Sequence, residues 1–293
     1  MSWDQISIKV PHEFVEPISH VFERYGHGVG IQSLNPDSAQ VTTFLPSGSP
    51  SRLARIEIGV NLARSITEMG ELEILPLEDE TDWRNAWKEH FSVLKITQTL
   101  VIKPSWIDYT PKETELVIEI DPGFAFGTGY HPTTHSCLAL LEQLMILGAQ
   151  ILDLGTGSGI LSIAAAKLGA AHVTGVDIDP MCIRAANQNA KICNVAATTN
   201  FYTGSLPSPH ISSNTYDFVI ANISSRIGIE KSNDIFDALK PEGLLILSGI
   251  INNQASITIE HFEHLGIIEN QYWKDDWVTF AIRKPVSGAN DHA

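Results

Sequence analysis

The sequence predicts an α/β protein of two domains. A small α+β domain comes first, and a larger one follows with a parallel sheet between layers of helices. Three observations carry this prediction. Residues 1–77 run strand, helix, strand, strand, helix, strand. From residue 136 onward strands and helices alternate, a pattern that requires parallel strands with helices on both faces. The first strand of that alternation ends in a loop holding Gly155, Gly157 and Gly159.

Each element has its own warrant. Residues 3–10 read as a strand and 13–24 as a helix, with Pro17 expected in its first turn, where a missing N–H is tolerated. Strands at 28–34 and 39–45 flank Asn35-Pro36-Asp37-Ser38, a turn in which Pro presets φ and Asn and Asp bond nearby backbone. Residues 51–66 place apolar side chains at helical spacing behind a capping Ser51. A strand at 71–77 completes the order, which is the ferredoxin-like one.

Residues 78–95 are expected to form a linker. Within it Trp83, Trp87 and Phe91 recur every four residues, as on a short helix that packs an aromatic face onto a domain. The second domain is set at 96–284. Its expected elements are strands 98–106 and 115–120, helix 136–147, strand 150–154, helix 160–168 and strand 172–177. Helix 180–193 follows, opened by Pro180. Strand 216–221, helix 226–239, strand 243–249 and helix 253–264 continue the alternation. Residues 267–283 read as an antiparallel pair of strands and 285–293 as a flexible tail.

Bulk properties narrow the classes. With 43% hydrophobic and 18% charged residues the chain can build packed cores rather than stay disordered. A formal net charge of −15 argues against a duplex-binding protein and is compatible with a basic partner steered in by its charge. Cys137, Cys182 and Cys193 are odd in number and lack metal-ligand spacing, which fits a reduced, cytoplasmic setting. No secretory signal opens the sequence, and no apolar run reaches the roughly 18 to 20 residues that span a bilayer, so no membrane partner is expected.

The chemistry is concentrated in four places. Asp153-Leu154-Gly155-Thr156-Gly157-Ser158-Gly159 lies at the carboxyl end of a strand, where open α/β sheets bind ligands. Its third glycine falls one residue early for G-x-G-x-x-G, because Ile160 stands at the required position, and this disfavours a nicotinamide cofactor. No G-K-[ST] follows, which excludes a phosphate-binding loop of the Walker type. Asp177 ends the next strand, where a carboxylate can accept bonds from both hydroxyls of a ribose. The Gly- and Pro-rich run from Asp121 to Thr134 can fold over a ligand. His131 and His135, at i and i+4, fall short of a metal site without a third ligand. Asn222 follows strand 216–221 and faces the same cleft as Gly155.

The stretches DPGFAFGTGYHPTT, ILDLGTGSGILSIAAAKLGA, GVDIDP and IANI resemble those of the bacterial ribosomal protein L-eleven methyltransferase family. So do WRNAWKEHF, VIKPSW and the late SGI, and the resemblance covers about residues 80–284. It implies a class I, Rossmann-like methyltransferase domain with an antiparallel terminal strand, behind an N-terminal substrate-recognition domain. It implies S-adenosylmethionine as cofactor and lysine or N-terminal amines of one basic ribosomal protein as acceptors. No direct binding of nucleic acid is required. Carried onto this chain, it assigns Thr134, Gly155, Asp177 and Asn222 to the cofactor, with Asp153 and Gly157 in the same loop and Phe126-Gly127 closing over it. Asn222 would lie near the sulfonium and orient the amine. The chain departs from the family pattern at Tyr130 and Ser224-Ser225, both beside the expected amine channel. Two other readings stay open on the residues alone: a methyltransferase of another protein or a small-molecule amine, and a non-catalytic cofactor-binding module.

Overall fold

Alternating burial builds the first sheet. Strand β1 (Trp3–Pro11) turns Ile6, Ile8 and Val10 inward. Strand β3 (Ser38–Pro46) lies antiparallel to it, with Ile6 opposite Thr43 and Ile8 opposite Val41. Adding β2 (His27–Asn35) and β4 (Glu73–Leu77) gives an antiparallel sheet in the order β2-β3-β1-β4. Helices α1 (His12–Tyr25) and α2 (Pro50–Arg64) cover it, contributing Ile18 and Phe22 from one and Ile56 and Val60 from the other. Each such side chain stabilises the fold by about 1.5–3 kcal/mol on burial. The element order and strand order are those of a ferredoxin-like domain, as expected.

The computed structural model describes residues 3–35, 37–77, 92–120 and 129–286. Contacts divide the chain into two compact units, Met1–Ser92 and Val93–Ala293. The expected aromatic helix and most of the expected linker, at 78–91, lie outside the described residues, as do 287–293 of the expected tail. The last two linker positions belong to strand β5 (Leu94–Lys95), which pairs with β6 (Leu100–Lys103). β7 (Leu116–Glu119) completes that three-stranded sheet, and its strands are shorter than the sequence pattern implied.

The second unit is built on β8 (Gln150–Leu154), β9 (His172–Asp177), β10 (Thr199–Thr203), β11 (Tyr216–Asn222), β12 (Leu239–Ile251), β13 (Ile267–Lys274) and β14 (Trp277–Arg283). They form one sheet in the order β10-β9-β8-β11-β12-β14-β13. β10 through β12 of that order run parallel, while β14 is antiparallel to both β12 and β13. The helices are α3 (Pro132–Leu144), α4 (Ile160–Lys167), α5 (Pro180–Ile192), α6 (Ser225–Glu230), α7 (Ser232–Ala238) and α8 (Ala255–Glu263). Two apolar clusters fill the sheet's two faces. One includes Leu138, Ile151, Ile163 and Ile220, the other Leu152, Val219, Leu247 and Phe280. The chain order reverses between β8 and β11, which creates the crevice where ligands of such sheets bind.

Several local expectations are corrected. Pro17 sits in the sixth position of α1, past the first turn, because the helix already starts at His12. Ser51 does not cap α2: Pro50 takes the first position and Ser49 precedes it. α3 begins four residues early, since His131 accepts from the Thr133 N–H and Pro132 presets the first turn. The expected helix 226–239 is two helices. The Ser232 hydroxyl bonds Ile229 O at 2.9 Å and competes with the helical ladder at Lys231. Edge strand β10 was missed, because its short polar alternation gives little apolar signal. Among the described residues no helix is long and apolar enough to cross a membrane.

Candidate functional site

The glycine loop sits in the crevice between β8 and β11 and is shaped by the backbone itself. The N–H groups of Gly155 and Thr156 both bond Val176 O, at 2.9 and 3.0 Å, so the loop turns across the end of β9. Gly155 has φ of +77°, a region where a side chain is strained. A Cβ there would lie 2.8 Å from Ile223 Cγ2. The loop is therefore a cradle that any larger residue would fill.

Asp153 is fully buried beneath this cradle. Its Oδ2 accepts from Thr156 Oγ1 at 2.7 Å, Ser162 N at 3.2 Å and Ser162 Oγ at 2.6 Å. Its Oδ1 has no partner among the described residues. Burial pushes its pKa up from the ordinary carboxylate value, against the pull of those bonds. Asp153 thus spends one oxygen on holding the loop and keeps the other free for a donor.

Asp177 takes the outer position. Its Oδ2 accepts from Gly157 N at 2.9 Å and its Oδ1 from Asp179 N at 3.0 Å. The Cys182 thiol also bonds Asp177, and since a carboxylate offers about four lone-pair sites, roughly one remains for a further donor. Asp179 is the cap of α5, accepting from Met181 N at 2.7 Å.

Thr134 and Asn222 are 88 residues apart in sequence, and the fold brings them together: Asn222 Nδ2 donates to Thr134 Oγ1 at 3.4 Å. Thr134 is buried in the first turn of α3, and Asn222 is the half-buried last residue of β11. With its NH2 engaged on α3, the amide leaves its oxygen as the group able to accept from a visitor. His131 closes the start of α3. It accepts from Thr133 and packs edge-on against Trp277 with ring centroids 4.8 Å apart. Burial lowers its pKa to about 4, so the ring is neutral at pH 7.

Phe126 and Gly127 lie outside the described residues. Tyr130 is 38% exposed. Ser225 turns inward to Thr258 on α8, with oxygens 2.7 Å apart, and so does not line the crevice. Among the described residues no cluster of three or more His, Cys, Asp or Glu could hold a metal ion. Two contributors escaped the sequence reading. Asn189 is buried and donates to Ser158 O at 2.9 Å, pinning the loop from α5. A polar residue on the face of Ala186 and Ala190 was the available signal. Gly249 lets the ends of β11 and β12 close up, for a Cβ there would meet Ile223 O at 2.5 Å.

These features fit S-adenosylmethionine: a cradle only glycine permits, a carboxylate with an acceptor site to spare beside it, and an orphaned buried oxygen below it. Comparison with known proteins agrees. The family described as Ribosomal protein L11 methyltransferase (PrmA) matches residues 2–285. The protein of that name from Herpetosiphon aurantiacus is 35% identical over 322 residues, covering 98% of this chain and 100% of its own. Its counterpart from Chloroflexus aurantiacus is 36% identical over 324 residues, covering 97% and 98%. A crystal structure of ribosomal protein L11 methylase from Lactobacillus delbrueckii subsp. bulgaricus superposes with a TM-score of 0.62 at 31% identity, covering 67% of this chain and 100% of that one. With the family's sequence pattern matched over residues 2–285 and relatives 35–36% identical over almost the whole length, the chain belongs to the ribosomal protein L11 methyltransferase family.

Proposed function

We propose that the protein methylates amino groups, lysine side chains or the N-terminal amine, of ribosomal protein L11. Family membership carries the reaction class: the chain is an S-adenosylmethionine-dependent protein methyltransferase. The observation that supports this assignment of the site is the Thr134–Asn222 pair at the open end of the glycine cradle.

When bound, S-adenosylmethionine supplies a methyl group already activated by its sulfonium, so the protein's task is alignment. Asp177 would hold the ribose through the acceptor capacity that Gly157, Asp179 and Cys182 leave it. Gly155 and Gly157 let the methionine part approach the backbone, and Asp153 Oδ1 accepts from the donor group nearest the loop. Thr134 fixes the Asn222 amide so that Oδ1 faces the incoming amine and accepts one of its N–H bonds. The amine lone pair is thereby aimed at the methyl carbon. With the cofactor in place, these residues would present the amine to a methyl group that the sulfonium makes ready for transfer, and the surplus proton would leave the amine for solvent. Lysine arrives as its ammonium and must lose a proton before it attacks, and a desolvated site favours that neutral form. The neutral His131 ring adds no cation to repel the ammonium that arrives first.

The acceptor is basic and the chain carries a net charge of −15, so the encounter is attractive. A ribosomal protein as acceptor supports a cytoplasmic location for the enzyme. The test is mass spectrometry of ribosomal proteins from a deletion strain and its parent. Loss of methyl groups confined to L11 is expected, and unchanged L11 would refute the proposal.

A further inference from the structure

β12 runs beside β11 with Ser248 opposite Asn222. At this level it departs from regular pairing with β14 on its other side. Leu247 stands opposite Phe280 and Ile250 opposite Val278, so Ser248 and Gly249 together face the single residue Thr279. A bulge of this kind re-aims side chains and is common beside active sites. Gly249 permits it with φ of +79° and brings the bulge against the residue after Asn222, for its Cβ would lie 2.5 Å from Ile223 O.

The bulge is locked from inside the core. Ser248 and Thr279 are both buried, with their hydroxyl oxygens 2.6 Å apart. The Ser248 side chain also bonds the Cys137 thiol, whose pKa burial pushes up to about 12, so that it stays protonated. Cys137 lies on α3 three residues after Thr134. On the strand side, Ser248 O accepts from Ile223 N at 3.1 Å, one residue past Asn222. Ser248 therefore reaches both carriers of the Thr134–Asn222 contact, α3 through its side chain and the end of β11 through its backbone. Around it Leu247, Ile250 and Phe280 are buried apolar side chains. A hydroxyl pair in such surroundings adds little net stability over apolar groups of the same shape, and what it fixes is geometry.

We propose that Ser248, locked to Thr279 across the bulge, is a positioning residue that sets the Asn222 amide against Thr134 for the incoming amine. This rests on the reading that Asn222 orients the amine. Ser248 acts on the reaction through Asn222 and Thr134, by holding β11 and α3 in one register.

The experiment uses the full chain and intact L11. In Ser248→Ala/Thr279→Val both hydroxyls go together, so neither is left buried without the other, and Tm should stay close to wild type. Affinity for S-adenosylhomocysteine and KM for L11 should hold within about threefold while kcat falls about tenfold, the signature of lost alignment. Thr279→Ser keeps the hydroxyl and should keep kcat. In the Asn222→Ala background the paired change should cost no further kcat, because its effect runs through the amide. Asparagine-labelled protein gives a readout that needs no acceptor. The Asn222 side-chain amide NMR signals, identified by their loss in Asn222→Ala, should shift in the paired variant as they do in Thr134→Val. Wild-type kcat in the pair, a kcat loss that Thr279→Ser shares, an equal loss in the Asn222→Ala background, or unmoved amide signals each overturn the proposal. Full kcat in Asn222→Ala itself removes the amide reading and the proposal with it. A wild type that transfers no methyl group to L11 refutes that substrate alone, and the amide signals then decide the proposal.

Discussion

Replacing Gly155 by Ala separates the cradle's two physical components. The first is backbone strain: at φ of +77° a residue with a Cβ costs about 1–2 kcal/mol. The second is contact. The new Cβ would lie 2.8 Å from Ile223 Cγ2, well inside the optimum of about 3.5–4.0 Å. Ile223 has little room to retreat, because its backbone already rests against Gly249. Overpacking of this kind adds about 1–3 kcal/mol. Gly148→Ala supplies the control, since Gly148 has φ of +80° and open space where its Cβ would go. With roughly 2–4 °C of Tm per kcal/mol for a domain of this size, Gly148→Ala should lower Tm by about 4 °C and Gly155→Ala by about 10 °C. Adding Ile223→Ala to Gly155→Ala should recover about 1–3 kcal/mol as a coupling energy in a double-mutant cycle. Calorimetric titration with S-adenosylhomocysteine should show at least about a tenfold loss of affinity in Gly155→Ala alone, the equivalent of about 1.4 kcal/mol. Equal Tm values for the two glycine variants, or a coupling of zero, would refute the steric argument.

Three further outcomes follow from the site. Asn222→Ala should lower kcat about 100-fold while leaving cofactor affinity within about threefold, because it removes alignment rather than binding; full kcat in a turnover assay would end the assignment. Thr134→Val should share the kcat loss and Thr134→Ser should restore it. Asp177→Asn should weaken S-adenosylhomocysteine binding by about 10- to 100-fold, as bonds to a charged acceptor are worth about 1.5–3 kcal/mol; calorimetry showing wild-type affinity would free Asp177 of the ribose. For His131 burial holds the folded pKa at about 4, below the ordinary histidine value of about 6.5. As pH falls through that window the unfolded chain takes the proton first, so stability present above 6.5 is lost by about 3 kcal/mol on reaching 4. Urea unfolding between pH 7 and pH 4 should show that loss in wild type and its absence in His131→Asn, which keeps a capping side chain. Parallel curves for the two proteins would count against it.

Much of the fold was legible because period and punctuation agreed. Strands β8 and β9 matched the expected bounds, since each is a short apolar run ended by Gly or Asp. The failures share a cause: local signal lost to tertiary context. β10 has only Phe201 as a large buried apolar residue and is held as a strand by pairing with β9, where Phe201 stands opposite Gly175. The break at Lys231 depends on where the Ser232 hydroxyl finds a carbonyl, a choice no periodicity records.

The site divides along the same line. The strand-end positions of Gly155 and Asp177 are readable because each lies directly after or at the end of an apolar strand run. The Thr134–Asn222 contact is not readable, because it depends on sheet order rather than spacing. β11 lands beside β8 after β9 and β10 have gone to the other side, and this reversal delivers the end of β11 to the crevice. α3 reaches the same point from before β8, started there by the His131 cap and Pro132. Asp153 shows the converse. Its place in the motif marked it for the cofactor, yet three bonds commit one of its oxygens to Thr156 and Ser162. The same residue therefore shapes the cradle and offers it one acceptor, a division of labour that burial alone makes visible.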